Sequence, residues 1–335
     1  MKIAYIANQT NSISGASNGI RMQALIWKNA LECRGHIVDL INAWDIYDWT
    51  SYDVIHIFGG GNVLDFIPDL YKRNKNIVLS PIIDTDQSIF KYKLASYWGF
   101  KWARLFSSNY KLRLVKDSVK IFLARSAYEA SFLKKSYDID CNKVKCVPLS
   151  YRNEMTDNSL EKKENFCLHV SSFTQSRKNT MRLIDASIKY GFKLVLAGSF
   201  GTEDSFAPFK AKIDGNSNID YVGFASDEKL VDLYTKAKVF ALPSTYEGVG
   251  LVALEAAAFG CEIVITNIGG PKEYYADMAY LVNPYSIDEI GKAVVSAMNT
   301  GFQPKLKHFI NKKYNLNYCI ELLEEKYKEI CEVST

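Results

Sequence analysis

The stretch from residue 239 to residue 260, VFALPSTYEGVGLVALEAAAFG, carries the side chains best placed for chemistry. An apolar run is followed at once by Glu247, Gly248 and Gly250, and then by a helical pattern that contains Glu255. Ionised carboxylates accept hydrogen bonds, so the two glutamates are suited to holding the hydroxyl groups of a sugar or a ribose. The alternative is that one glutamate caps the helix dipole and the other lies on the helix surface.

The same stretch predicts an anion site. Glycine lets the backbone come close to a ligand. The amides at the start of the helix have no partner within it, and they lie at the positive end of the helix dipole. The residues that would present these amides are Val249, Gly250, Leu251 and Val252.

Short apolar runs alternate with helical patterns along the whole chain, and this alternation is typical of parallel α/β domains. The pattern stops at residues 151–164, a polar stretch that we interpret as a linker. We therefore expect an N-terminal domain over 1–150 and a C-terminal domain over 165–305, both doubly wound and Rossmann-like, facing a central cleft. Residues 306–335 are expected to form a charged helical end.

The composition excludes several classes of protein. The 335 residues include 41 basic and 37 acidic side chains, a balance that does not suit a strongly basic nucleic-acid binder. The seven cysteines form no CxxC pair and the four histidines show no metal-ligand spacing, so we expect free thiols, a reducing cytoplasm and no metal. No apolar run approaches the roughly 20 residues that span a bilayer.

The glutamate stretch resembles a signature of retaining glycosyltransferases with the GT-B fold, specifically glycosyltransferase family 4. The matching residues are Pro243, Ser244, Glu247, Gly248, Gly250, Glu255, Ala256 and Gly260. The likeness continues through residues 263–267 into Gly269-Gly270-Pro271-Lys272-Glu273 and a strand-like run at 279–284. The resemblance is close over residues 165–300 and extends to the N-terminal half only in outline. It implies that the helix in residues 306–335 crosses back to the N-terminal domain.

The resemblance implies a nucleotide sugar as donor, bound by the C-terminal domain. Lys178 matches the family's lysine for the diphosphate, whereas Ser172 stands where the family has an arginine, and Arg177 is the candidate substitute. Glu247 would hold the sugar and Glu255 the ribose. Fixed cations and helix amides would stabilise the departing diphosphate without a metal or any other cofactor.

Three further positions follow from the resemblance. The loop that contains Gly15 and Gly19 takes the place of the family's glycine-rich loop, which closes over the donor phosphates. Asp84 stands where family members often carry a histidine near the transferred sugar, and we interpret it as a candidate catalytic group; a surface aspartate is the alternative. Phe224 lies at a strand end where the nucleobase is expected, with core packing as the alternative.

Residues 91–120 hold eight basic side chains, one acidic side chain and many aromatic ones. Aromatic rings beside lysine and arginine suit the membrane interface and an anionic, lipid-linked acceptor. The candidate contact residues are Lys101, Trp102, Arg104, Lys111 and Arg113. The alternative is an amphipathic helix whose rings face the core, and nucleic acid is not expected as a partner.

Together these features predict a retaining, metal-independent glycosyltransferase. It would move a sugar from a UDP- or GDP-sugar to a saccharide or a polyprenyl-diphosphate-linked acceptor, in bacterial cell-surface polysaccharide synthesis. The expected location is the cytoplasm, with peripheral contact at the inner face of the cell membrane. Two alternatives stay open: a GT-B-fold epimerase or phosphorylase, and a non-catalytic protein that binds nucleotide sugars.

Overall fold

Two parallel sheets organise the chain, each in its own structural unit. The computed structural model describes residues 1–7, 19–42, 44–100, 105–152 and 163–332. The first unit contains residues 1–83 and 87–149 and the chain from residue 316 onward; the second contains 84–86 and 150–315. Each unit has a six-stranded sheet whose neighbouring strands are all parallel. The predicted α/β architecture is therefore confirmed.

The first unit begins with alternating strands and helices. Its strands are β1 (Lys2–Ala7), β2 (Ile37–Leu40), β3 (Val54–Phe58), β4 (Ile77–Ser80), β5 (Gly99–Phe100), β6 (Leu105–Phe106), β7 (Ile121–Ala124) and β8 (Val144–Cys146). Its helices before residue 150 are α1 (Gly19–Cys33), α2 (Ile67–Arg73), α3 (Ile89–Ser96), α4 (Ser108–Val115) and α5 (Ala127–Ser136). The large sheet has the order β2-β1-β3-β4-β7-β8, and β5 pairs with β6 in a separate antiparallel hairpin.

Apolar composition explains the central strands. All residues of β3, β4 and β7 are buried, as expected for a parallel sheet covered on both faces. Helix α1 buries Ala24, Trp27 and Leu31, which recur at helical spacing. Helix α5 begins with the capping-box sequence Ser126-Ala127-Tyr128-Glu129, in which the Ser126 side chain accepts a hydrogen bond from the amide of Glu129.

The second unit repeats the design with a different strand order. Its strands are β9 (Glu164–Val170), β10 (Leu194–Ala197), β11 (Ile219–Gly223), β12 (Ala237–Leu242), β13 (Glu262–Thr266) and β14 (Tyr280–Val282). Its helices are α6 (Thr180–Tyr190), α7 (Glu203–Asp214), α8 (Asp227–Lys236), α9 (Leu251–Ala258), α10 (Ile287–Asn299) and α11 (Lys305–Lys313). Across the sheet the strand order is β11-β10-β9-β12-β13-β14. Chain order therefore runs toward one edge from β9 to β11 and toward the opposite edge from β12 to β14, so the strand order reverses between β9 and β12. Ligands of such sheets bind beyond the carboxyl ends of the strands at this point.

Helix α12 (Leu316–Glu332) packs in the first unit, where Cys319, Ile320, Leu323, Tyr327 and Ile330 are buried. The Tyr327 hydroxyl lies 2.6 Å from His56 Nδ1 and 3.1 Å from the Tyr5 hydroxyl. On the other side of His56, Nε2 lies 2.8 Å from Ser80 Oγ. The last helix is thus held by a buried polar chain as well as by apolar packing.

Replacing Tyr327→Phe is expected to lower the free energy of unfolding of the first unit by about 1–3 kcal/mol, since it leaves a buried ring nitrogen of His56 without its partner. All five tryptophans lie between residues 27 and 102, so tryptophan fluorescence during urea unfolding reports on this unit. Tyr71→Phe is the control, because the Tyr71 hydroxyl forms no hydrogen bond within the described residues. Equal midpoints for the two variants would contradict the expectation.

Burial lowers the pKa of His56 from 6.5 to about 3. The unfolded chain therefore takes up a proton near pH 6.5 while the folded chain does not. The contribution to stability is complete above that pH and is lost as the pH falls toward 3. Between about pH 7 and about pH 5, the free energy of unfolding of the wild type should fall by about 2 kcal/mol more than that of the His56→Gln variant, measured by tryptophan fluorescence during urea unfolding. The same loss in both proteins would contradict the assignment.

Candidate functional site

The loops that follow β9 and β12 meet at the point where the strand order of the second unit reverses. The amide of Thr245 donates a 2.8 Å hydrogen bond to the carbonyl of Arg177. The Asn179 side chain donates to the carbonyl oxygens of Pro243 and Pro284, at 2.8 and 2.6 Å. Asn179 itself has a left-handed backbone with a φ of 60°, which asparagine tolerates better than most residues. These bonds fix the two loops against each other.

Glu247 lies between these loops and is only 6% exposed. Its Oε1 atom is 2.6 Å from Lys178 Nζ and 3.3 Å from Arg177 Nη1, and it accepts a 2.8 Å hydrogen bond from Ser244 Oγ. One carboxylate between two cations leaves the cluster with a net charge of +1. The structure thus brings together three of the predicted site residues in a cluster that favours an anion.

The cluster keeps unused hydrogen-bonding capacity. Within the described part of the chain, all the hydrogen bonds and ion pairs of the Glu247 carboxylate are to Oε1. Arg177 Nη1 is buried and has no hydrogen-bond partner there, although it is within ion-pair distance of the carboxylate. The Arg177 guanidinium also lies 5.7 Å from the centre of the Tyr246 ring. An acceptor and a charged donor are therefore available to a ligand at one place.

The backbone of Glu247 is held by the glycine turn that follows β13. The Gly270 amide donates to the Glu247 carbonyl at 3.2 Å, and the Glu247 amide donates to the Ile268 carbonyl at 3.3 Å. At Gly269 the φ is +107°, and a Cβ atom would lie 1.9 Å from the Glu247 carbonyl oxygen. Any other residue would displace Glu247, so this glycine positions the carboxylate.

Helix α9 starts at Gly250, whose φ of +76° is also left-handed. A Cβ atom there would lie 3.2 Å from the side chains of both Ile265 and Leu242, so glycine allows the turn to pack closely. No side chain caps the helix. Val249 is buried, whereas Leu251 and Val252 are half-buried. The first amides of α9 are thus left for a ligand, as an anion site requires.

Glu255 has surroundings different from those expected for a ligand-facing residue. It is fully buried, and both of its oxygens take hydrogen bonds from the Arg152 guanidinium. The Tyr234 hydroxyl donates to Oε2 at 3.3 Å. The carboxylate raises the pKa of Arg152 above its already high value. The two glutamates of the motif therefore differ in their surroundings. Arg152 occupies both oxygens of Glu255, whereas Glu247 lies beside Arg177, whose Nη1 atom has no hydrogen-bond partner within the described residues.

The other predicted donor-binding and catalytic residues have varied surroundings, and one of them lies outside the described residues. Ser172 is exposed, and its hydroxyl is 2.9 Å from the Thr174 hydroxyl. Phe224 is exposed after β11, so the core-packing alternative is wrong. Asp84 is exposed in the loop after β4, and Gly19 is exposed at the start of α1. Gly15 lies outside the described residues.

Of the predicted membrane or acceptor residues, three lie outside the described residues and two are paired within the first unit. Lys101, Trp102 and Arg104 lie outside the described residues. Lys111 Nζ is 2.6 Å from an oxygen of Asp65. Arg113 is mostly buried and donates to Ser96 Oγ and to the carbonyl of Ser136. These last two cations are therefore turned toward their own unit.

A buried ion pair that the sequence did not reveal holds the loop before Asp84. Glu129 accepts a 2.6 Å hydrogen bond from the Ile83 amide and pairs with Arg125, whose Nη2 donates to the Ile83 carbonyl at 3.4 Å. The preceding residue, Ile82, has a left-handed φ of 57°, which is strained for a β-branched residue. The capping box pointed to Glu129 as part of a helix start, but no spacing connects it with Ile83.

The described residues contain no group of three or more His, Cys, Asp or Glu side chains arranged to hold a metal ion. None of the helices in that part of the chain is both long and apolar enough to cross a membrane.

Known proteins share this fold over nearly the whole chain. Sucrose-phosphate synthase from Thermosynechococcus elongatus superposes with a TM-score of 0.77 and 15% identity, covering 99% of each chain. Anabaena HepE in complex with UDP gives a TM-score of 0.70 and 16% identity, covering 98% of this chain and 100% of that one. The fold is the GT-B fold of glycosyltransferases.

The sequence comparisons give the family. Residues 151–316 match the model described as glycosyl transferases group 1. O-antigen chain mannosyltransferase B of Escherichia coli is 25% identical over 310 residues, covering 87% of this chain and 77% of that protein. A Campylobacter jejuni N-acetylgalactosaminyltransferase is 26% identical over 222 residues, covering 62% and 60%. The chain belongs to the group 1 glycosyltransferases, which confirms the resemblance drawn from the glutamate motif.

Replacing Glu255→Gln is expected to lower the free energy of unfolding of the second unit by about 2 kcal/mol, because Arg152 loses its buried counter-charge. The cost stays below that of a fully buried pair, since the Arg152 side chain is 19% exposed. During urea unfolding, the transition followed by circular dichroism should begin at a lower urea concentration than in the wild type. The midpoint followed by tryptophan fluorescence, which reports on the first unit, should be unchanged. Glu203→Gln, at an exposed position on α7, is the control. Unchanged stability with lost nucleotide binding would instead support a ribose contact by Glu255.

Proposed function

We propose that the protein transfers a sugar, with retention of anomeric configuration and without a divalent metal, from a UDP- or GDP-sugar to a saccharide or a polyprenyl-diphosphate-linked acceptor. The observation that carries the proposal is the cluster of Glu247, Lys178 and Arg177 at the reversal point of the second sheet. Its net positive charge and its neighbouring helix start suit a diphosphate, and its free carboxylate oxygen suits a sugar hydroxyl.

Each group has one role in the proposed reaction. Lys178 and Arg177 bind the diphosphate together with the first amides of α9, and Arg177 supplies the charge that Ser172 lacks. Glu247 accepts a hydrogen bond from the sugar through Oε2. The bond from the anomeric carbon to the diphosphate breaks while the bond to the acceptor oxygen forms on the same face. The acceptor proton passes to the departing diphosphate, whose charge the fixed cations stabilise.

The names of the relatives support a polysaccharide or lipid-linked acceptor. One is an O-antigen chain mannosyltransferase of Escherichia coli. The name of the Campylobacter jejuni relative specifies an undecaprenyl-diphosphate-linked saccharide. We accordingly propose a role in bacterial cell-surface polysaccharide synthesis, carried out in the cytoplasm on an acceptor held at the inner face of the membrane. Phe224 would lie beside the nucleobase, and Asp84 would face the transferred sugar.

Release of UDP or GDP from a panel of nucleotide sugars, with and without saccharide acceptors, tests this proposal. Lys178→Ala and Glu247→Gln are each expected to reduce kcat by about a hundredfold to a thousandfold, as loss of one transition-state contact does. Lys189→Ala is the matched control, because this lysine of the same unit lies on the exposed end of α6 and pairs with Asp288.

The outcomes separate the alternatives. Retained anomeric configuration in the product, determined by NMR, would support the retaining mechanism, and inversion would overturn it. Tight binding of nucleotide sugars without turnover on any acceptor would favour a non-catalytic binding protein. Conversion of the nucleotide sugar to its epimer without release of nucleotide would favour an epimerase. Full activity after treatment with EDTA is expected from a metal-independent enzyme, and loss of activity restored by Mg²⁺ would contradict it.

A further inference from the structure

We propose that the outer face of α3 is a docking surface for an anionic lipid bilayer. Phe90 and Leu94 of this helix and Trp98 just beyond its end are 70%, 56% and 72% exposed. The spacing of four residues places Phe90 and Leu94 on the same side of the helix. Tyr92 and Ser96, on the other side, are buried. The helix therefore presents large apolar side chains to solvent, where surface helices normally carry polar ones.

Four large exposed side chains occur within nine residues at this helix and its end, namely Phe90, Leu94, Tyr97 and Trp98. Tyr97 is about half exposed and precedes Trp98 in the chain. The Arg113 guanidinium lies over the Tyr97 ring, 3.7 Å from its centre. Contiguous exposed apolar surface of this kind marks an interaction site, whereas single exposed apolar residues do not. Aromatic rings flanked by cations are typical of groups that lie at the level of lipid headgroups.

The charges around the patch are complementary to an anionic leaflet. Lys91 is exposed on α3 itself, and Lys134 and Lys135 are exposed near the end of the neighbouring helix α5. Asp138 is shared by Lys93 at 2.6 Å and Arg113 at 3.7 Å, so this small cluster also keeps a net charge of +1. Each cation near such a surface strengthens binding about fivefold.

A lipid bilayer fits this surface better than a second copy of the chain. In a two-fold dimer each patch would face itself, and Lys91, Lys134 and Lys135 of one copy would approach the same lysines of the other. Like charges brought together oppose such an association, whereas anionic headgroups attract the same lysines. The surface therefore combines apolar area with a charge that excludes self-association.

The proposed residues differ from those that the sequence suggested. Lys111 and Arg113 are engaged with groups of their own unit, so they shape the surface without meeting the lipid. Phe90 and Leu94 were not candidates, because periodicity alone does not show which side of a helix is buried. The docking surface goes beyond the proposed sugar transfer, since binding to lipid requires no turnover.

Sedimentation of the full chain with vesicles tests the proposal. Vesicles of phosphatidylethanolamine with phosphatidylglycerol are expected to bind the wild type, and vesicles of phosphatidylcholine alone much less. The variant Phe90→Ser/Leu94→Ser/Trp98→Ser should lose about tenfold in partition coefficient for each side chain. Lys91→Ala/Lys134→Ala/Lys135→Ala should lose about fivefold for each charge. Raised salt should weaken wild-type binding.

The control is Trp44→Ser/Ile46→Ser, which removes exposed apolar side chains from the same unit beside the acidic Asp45 and Asp48. It should bind vesicles as the wild type does. Circular dichroism and UDP or GDP binding must be unchanged in all variants, so that a folding defect is recognised. Absence of wild-type binding to anionic vesicles, or equal loss in the control, would overturn the docking surface and leave the proposed transfer chemistry standing. A dimer that dissociates in the α3 variant would assign the patch to self-association instead.

Discussion

A carboxylate removed from water must be met by positive charge, and at Glu247 this requirement governs the arrangement of the second unit. Lys178 and Arg177 follow β9, whereas Glu247 follows β12, so the three groups meet only because these strands are neighbours across the reversal of the sheet. The left-handed Asn179 turns the first loop into α6, and Gly269 gives the Glu247 carbonyl the space it needs. The backbone at Asn179 and at Gly269 therefore serves the placement of this one carboxylate and its cations.

The same cluster bears on the serine at position 172. Arg177 lies 3.3 Å from the buried carboxylate, and in the proposed reaction it supplies the charge that Ser172 lacks. A diphosphate would then compete with Glu247 for both cations. Arrival of the donor would release Oε1 from these cations, so that binding of the phosphates and binding of the sugar would be coupled.

Local sequence patterns predicted most of the fold and part of the site. The elements β1, β3 and α6 show the pattern on which such a prediction depends, because each has a continuous apolar run or a clear amphipathic period. Helix α7 has no such pattern, since it contains Pro208 and buries none of its side chains. Pairings between distant residues, such as Arg152 with Glu255 and Glu129 with Ile83, were not predictable either. Each depends on how the chain folds back on itself, and no spacing within a motif encodes it.

The return of α12 to the first unit makes the two units unequal in a way that matters for dissection. Apart from residues 84–86, the second unit is one uninterrupted segment, 150–315, whereas the first is assembled from segments on both sides of it. The second unit can therefore be expressed from a single continuous stretch of the gene. The other unit cannot, because removing everything after residue 149 would also remove Tyr327 and leave His56 uncovered. An isolated first unit needs α12 rejoined to it by a designed connection, in effect an excision rather than a truncation.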